Sequence, residues 1–170
     1  IAAALFSFLS TDPVTPEEAA PTAKPSALAT FEEAVSGFRG SDRFWTAPYL
    51  LADLESETLY VWGEHTGMIP GDPLEFFVIS EKSGHDYEAL MISFARPSNI
   101  ALALEKMGME SIGPVDPDVH RFWPRGDRVA ASFVFTDPEG AGLREETAEF
   151  FCIWKGDPMP PLPWVFTGAP

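Results

Sequence analysis

Proline fixes one backbone dihedral and removes a donor, so the positions of the prolines decide where this chain cannot build a helix interior or a central strand. Four of them fall between Thr11 and Ser26 among Thr, Ala and Glu, a composition that favours extended backbone and reads as a linker. Three more, with two glycines, make "IGPVDPDVHRFWPRGD" irregular, and "KGDPMPPLP" reads as a connection. Regular structure has to be sought between these stretches.

There the hydrophobic periods are legible. "ATFEEAVSGF" places Thr30 three residues before Glu33, a capping-box spacing, and predicts a short helix from about Phe31 to Ser36 that stops at Gly37. The stretch from Arg39 to Glu57 mixes aromatics with turn residues and gives no assignment. From Thr58 the pattern turns to strands: "TLYVWGEH", then "PLEFFVIS", an almost unbroken apolar run expected of a central strand, then "YEALMIS", three strands that could form a meander. "RPSNIALALEKMG" predicts a helix with Ser98 as N-cap and Gly108 as the stop. "RVAASFVFTD", "EETAEFFCIW" and "WVFTG" read as further strands. The expected fold is α+β: five or six mostly antiparallel strands, one main helix and an extended N-terminal arm. Residues 1–28 form the apolar arm and its proline-rich linker, and residues 29–170 a single domain.

A chain of 170 residues, 45% apolar and 13% aromatic, can bury one core of this kind. Its formal charge of −15 repels phosphate backbones and anionic headgroups, which argues against nucleic-acid binding and leaves neutral, cationic or protein partners. The single cysteine, Cys152, excludes an intrachain disulfide and a cysteine-ligated cluster from this chain alone, and its setting in "AEFFCIW" reads as an inert buried thiol. No cofactor is implied.

The opening "IAAALFSFLS" is too short to span a bilayer. It reads as the tail of a signal or anchor segment, as an arm that docks on a partner, or as part of its own domain. In the docking reading, Ile1, Leu5 and Leu9 on one parity and Phe6 and Phe8 on the other fill pockets beside the open sheet edge of another copy or another protein, and repeated head to tail the contact builds a filament. A membrane enters only if an anchor once preceded this segment.

Three places invite a chemical reading. In an extended "HDYEALMIS", His85 falls on the face opposite Glu88, so the pair converges only if a helical turn intervenes; a solvated turn is the favoured reading. Glu75 interrupts an apolar run and needs either solvent on its face, as on an edge strand, or a partner such as Arg96, Arg121, Arg125 or Arg128, or a ligand. His120, with Asp116, Asp118 and Asp127 on a long loop, has acids at spacings that could suit a hard cation but without the ligand order of a calcium-binding loop; a solvated loop is the competing reading. No phosphate-cradling loop, nucleophile elbow or HExxH motif is present.

Six segments in order, "GDPLEFF", "YEAL", "RPSNIALALEKMG", "WPRGDRV", "AEFF" and "WVFTG", together resemble the YdjY-like family of bacterial exported proteins over about residues 58–170. The resemblance implies an extracytoplasmic domain, periplasmic, at the cell surface or secreted, with no established reaction. The family's recurrent acids would fall on Glu75 and Glu88; Tyr87 stands directly before Glu88 and His85 two residues further back, so no catalytic residue is carried over. The expected function is a non-enzymatic binding or structural protein, with Glu75, His85 and Glu88 as ligand-binding candidates. The alternative is a metal-dependent or acid/base hydrolase using Glu75, Glu88, His85 or His120.

Overall fold

The computed structural model describes residues 2–8, 23–110, 126–137, 140, 142–162 and 164–167. His120, Asp116 and Asp118 lie outside them, as do Ile1 and Leu9.

Helix α1, Ala23–Val35, begins well before Thr30, which therefore sits inside the helix and not at its cap. The Ala-rich run ahead of Phe31 has high helix propensity, and Pro25 falls in the first turn, where a missing N–H breaks no intrahelical bond. Strands β2 (Phe44–Ala47) and β3 (Leu50–Asp53) form an antiparallel hairpin that the mixed sequence from Arg39 to Glu57 concealed. Tyr49, at a φ of 62°, makes its turn. β3 then pairs antiparallel with β4 (Thr58–His65).

All four residues of β3 are buried because both sheet faces are covered. On one face α1 packs Phe31 and Val35 against Leu51 and Trp62, with the Phe31 and Trp62 rings edge-on at 5.0 Å. On the other, helix α2 (Pro97–Lys106) packs Ala101 and Leu104 against Leu50, Ala52, Leu59 and Val61. The alternation of side chains along a strand delivers odd and even residues to different helices. In α2 the N-cap is Arg96, because Pro97 takes the first helical position, where its fixed φ fits; the expected cap Ser98 is one residue inside. Gly108, at a φ of 84°, ends the helix as expected.

Strands β5 (Phe76–Ser80) and β6 (Ala89–Ser93) do not make a meander with β4. β6 pairs antiparallel with β4, and β5 pairs in parallel with the far side of β6. The run expected to be a central strand is thus an edge strand, joined to β6 alone among the described residues. An apolar run reports burial of side chains, which the curled sheet and its second core provide, and not the pairing of both backbone edges.

β7 (Arg128–Thr136) pairs with β8 (Leu143–Thr147) and, near its start, with the short β11 (Trp164–Val165). "EETAEFFCIW" is not one strand. β8 gives way to a single 3₁₀ turn at Ala148–Phe151, and Ile153–Trp154 (β9) turns back through Lys155 and Gly156 to pair with Asp157–Pro158 (β10). Both turn residues have positive φ, as a two-residue hairpin loop requires.

The N-terminal segment read as an arm for a partner is β1, Ala2–Phe8, inserted between β4 and β7 and parallel to both. Phe6 stands opposite Val61 on one side and Phe133 on the other, so the segment pairs here within its own chain, as in the own-domain reading. Leu5, Phe6 and Phe8 belong to this strand. Without it, β4 and β7 would face one another as two open edges, and an apolar segment of suitable length satisfies both. The sheet reaches nine strands among the described residues because β1 and the β2–β3 hairpin join it. It is mixed, with five antiparallel pairings against three parallel ones, and the α+β class holds. No described helix is long and apolar enough to cross a membrane.

Candidate functional site

The sheet curls so that β5 and β6 approach β7 over a second core of Leu90, Met91, Phe133 and Ala148. Aromatic rings brace this closure: Phe77 meets Trp164 edge-on at 5.3 Å, and Phe133 meets Phe151 edge-on at 5.3 Å. Between the two cores lies a half-open cavity of about 1220 Å³. Its floor is formed by Leu59 and Val61 of β4 and Val129 and Ala131 of β7, and α2 contributes Ile100 and Leu104. The floor residues Leu59 and Val61 are fully buried, whereas the mouth is apolar and wet: Ile153 is 78% exposed, Trp154 59% and Phe76 41%.

Polar groups at the cavity are few. Asp72 is tied into its own turn, its Oδ2 accepting the Ile69 N–H at 3.0 Å. The Nδ1 of His65 accepts the Gly67 N–H at 2.9 Å, and partial desolvation of the ring lowers its pKa below the ordinary histidine value. Cys152 lines the cavity, and burial, aided by the Glu149 charge, pushes its thiol pKa up, which leaves it protonated and a poor nucleophile at neutral pH. The only formal charges in the lining of described residues are Asp72 and Glu75; no Lys or Arg is among them. Two cations lie next to the mouth on its aromatic rings: Arg144 sits 5.2 Å from the centre of Phe150, and Lys155 sits 5.5 Å from that of Trp154.

Glu75 is exposed on the lip, just ahead of the edge strand, which matches the solvent-facing reading of this residue. Its backbone N–H donates to the Glu88 carbonyl at 2.9 Å. His85 and Glu88 do meet, against the expectation from strand parity. Residues Asp86–Glu88 form one 3₁₀ turn, whose three-residue repeat brings the His85 Nδ1 to 2.5 Å from the Glu88 Oε1. The sequence does not show this local period, because "HDYE" carries no apolar alternation of its own and the strand begins only at Ala89. This pair lies outside the cavity, with half of the His85 side chain exposed, and His85 packs near the Phe76 and Tyr87 rings. Glu75, His85 and Glu88 therefore share one corner of the fold, but only Glu75 reaches the cavity. Asp127, read with the His120 loop, uses its Oδ2 to accept the Glu110 N–H at 2.8 Å. Among the described residues no group of three His, Cys, Asp or Glu side chains is placed to hold a metal ion.

The cavity itself is not legible in the sequence, because its lining comes from segments spread from Leu59 to Thr167. The one local signal was the pair of exposed apolar residues in the tight β9–β10 hairpin, at Ile153 and Trp154. No protein-family model matches the chain, and no curated protein or solved structure matches it either.

Proposed function

We propose that this protein is a non-enzymatic, extracytoplasmic binding module that takes an apolar ligand into the cavity beneath β5 and α2. One observation carries the reading. Ten large apolar side chains stay exposed among the described residues, and five of them, Ile69, Phe76, Phe150, Ile153 and Trp154, stand around this one cavity. Scattered exposed apolar residues need no explanation, but a contiguous set rimming a concave site marks a binding surface. Fully burying an exposed side chain of this kind is worth about 1.5–3 kcal/mol, and these are already partly covered, so an occupant gains a fraction of that from each of several. The extracytoplasmic address rests on the resemblance of the motif series to exported proteins.

A hydrolase reading has the His85–Glu88 contact in its favour. Neither residue lines the cavity, however, and the thiol that does, Cys152, has its pKa pushed up by burial, which disfavours the thiolate.

Titration with the uncharged dye Nile red tests the proposal. Wild-type protein is expected to give saturable fluorescence enhancement, and the double variant Ile153→Ser, Trp154→Ser a weaker one with the thermal midpoint retained. Failure of the folded wild type to bind the dye saturably counts against the reading.

A further inference from the structure

We infer that the natural occupant of the cavity is an extended apolar peptide segment of another protein, neutral or basic at its ends, which adds as a strand to the edge of β5 that no described strand pairs. This rests on the reading of the cavity as a binding site and names the class of its ligand.

The way β5 borders the cavity is the first argument. A strand that turns one face to a cavity lines it with alternate residues only. Here every residue from Phe76 to Ser80 lines it, and so does the whole approach from Met68 to Glu75. Such a continuous border is that of a strand presenting its edge. That edge is unoccupied by another described strand, since β5 is paired with β6 alone.

Within β5 itself the edge also carries none of the usual blunting residues. Natural edge strands are commonly blunted by a charge, a proline or a bulge. "FFVIS" has no charge and no proline, and its apolar residues stand beside a wall of further apolar groups from Phe150 to Trp154 across the gap. A lipid-like molecule could cover the side chains, but it would leave the backbone N–H and C=O groups along the edge without partners inside an apolar groove, at a cost of about 1–3 kcal/mol for each. An extended peptide satisfies both kinds of surface at once: its main chain pairs with β5, and alternate side chains enter the cavity. Five residues of strand span about 17 Å, and a volume of about 1220 Å³ exceeds what a compact small ligand needs.

The charge of the site selects among peptides. Asp72 and Glu75 stand at the lip and the whole chain carries −15, while of the two cations beside the mouth Arg144 is paired with Glu146 and both lie on aromatic rings. Acidic flanks would be repelled, while lysine or arginine at the ends of the segment would be drawn in and would bind less tightly as salt is raised.

The test uses a capped seven-residue peptide with valine at alternate central positions and lysine at both ends, competed against Nile red on the full chain. It is repeated with peptides N-methylated along one hydrogen-bonding edge or along the other, and with a glutamate-ended peptide. The expected result is displacement of the dye by the parent peptide, at least a tenfold weaker effect for one of the two methylated forms, and weakened competition by the acidic form. If the dye binds but the peptide does not displace it, or both methylated forms compete as well as the parent, the strand-addition inference is overturned while the cavity remains a binding site. If neither dye nor peptide binds, the reading of the cavity fails together with this inference.

Discussion

The Glu149 carboxylate holds Trp164 by its indole: Oε1 accepts the Nε1–H at 2.7 Å and, with the same oxygen, the Leu162 backbone N–H at 3.1 Å. Glu149 is buried, and Trp164 is the ring that braces Phe77 on β5. One carboxylate from the 3₁₀ turn therefore fixes the wall of the cavity formed by the last described strand. Replacing Glu149 by Leu leaves two donors without their acceptor and is expected to cost about 1.5–3 kcal/mol in a urea unfolding series, the range for hydrogen bonds to a charged group. Glu149→Gln, which keeps an acceptor oxygen, should fall between that variant and wild type. Equal midpoints for all three proteins would show that Trp164 is held by packing alone.

The other buried carboxylate makes part of the stability depend on pH. The Arg43 guanidinium grips Asp53 with two hydrogen bonds, Nε to Oδ1 at 2.9 Å and Nη2 to Oδ2 at 2.6 Å, and the backbone N–H groups of Glu55 and Ser56 add theirs. The Arg43 contact holds the Asp53 carboxyl far below the usual aspartate range. A depressed folded-state pKa contributes stability that is present above the ordinary value of about 3.9 and is lost as the pH falls below it towards the folded value. Thermal midpoints measured from pH 7 to pH 3 should show Asp53→Asn less stable than wild type at neutral pH, with the difference shrinking as the solution is acidified. A constant gap across that range would mean that the charge of Asp53 is not what stabilises the hairpin.

Gly63 marks the point where β6 crosses close to β4. A methyl group there would lie 2.2 Å from both the Ile92 carbonyl oxygen and the Met91 Cε. The methionine end could yield, but the carbonyl belongs to the paired strand, so Gly63→Ala should destabilise by about 1–3 kcal/mol through forced separation of the strands. Denaturant unfolding gives the number, and a neutral substitution would argue that the β4–β6 junction is looser than the structure has it.

Removal of residues 1–12 deletes β1 and turns β4 and β7 into facing open edges. Lower thermal stability and concentration-dependent self-association are expected by light scattering, since unpaired edges recruit strands from other molecules. A truncated protein that stays monomeric with an unchanged midpoint would show that the slot between β4 and β7 closes without this strand. Dissociation of a pre-existing oligomer on truncation would instead favour the docking-arm reading.

For the exposed His85–Glu88 pair, His85→Ala should change stability by no more than about 1 kcal/mol and leave Nile red binding untouched. A loss of dye affinity in that variant would join this corner of the fold to the cavity.

What the sequence determined by itself was local: the α+β character, the strand at Thr58–His65, the helix that stops at Gly108 and the exposed position of Glu75 follow from period, caps and turn residues within a few positions of each other. Strand order and edge identity could not be read there, because an apolar run such as "FFVIS" records that side chains are buried and says nothing of which backbone edges are paired. The place of β1 likewise depends on two strands, β4 and β7, that lie more than fifty residues from it in sequence. His85 and Glu88 met because one 3₁₀ turn replaced the expected extension. The cavity is wholly a product of tertiary structure, since a concave apolar surface arises only where β4, β5, β7, α2 and the last described residues fail to close completely around one another.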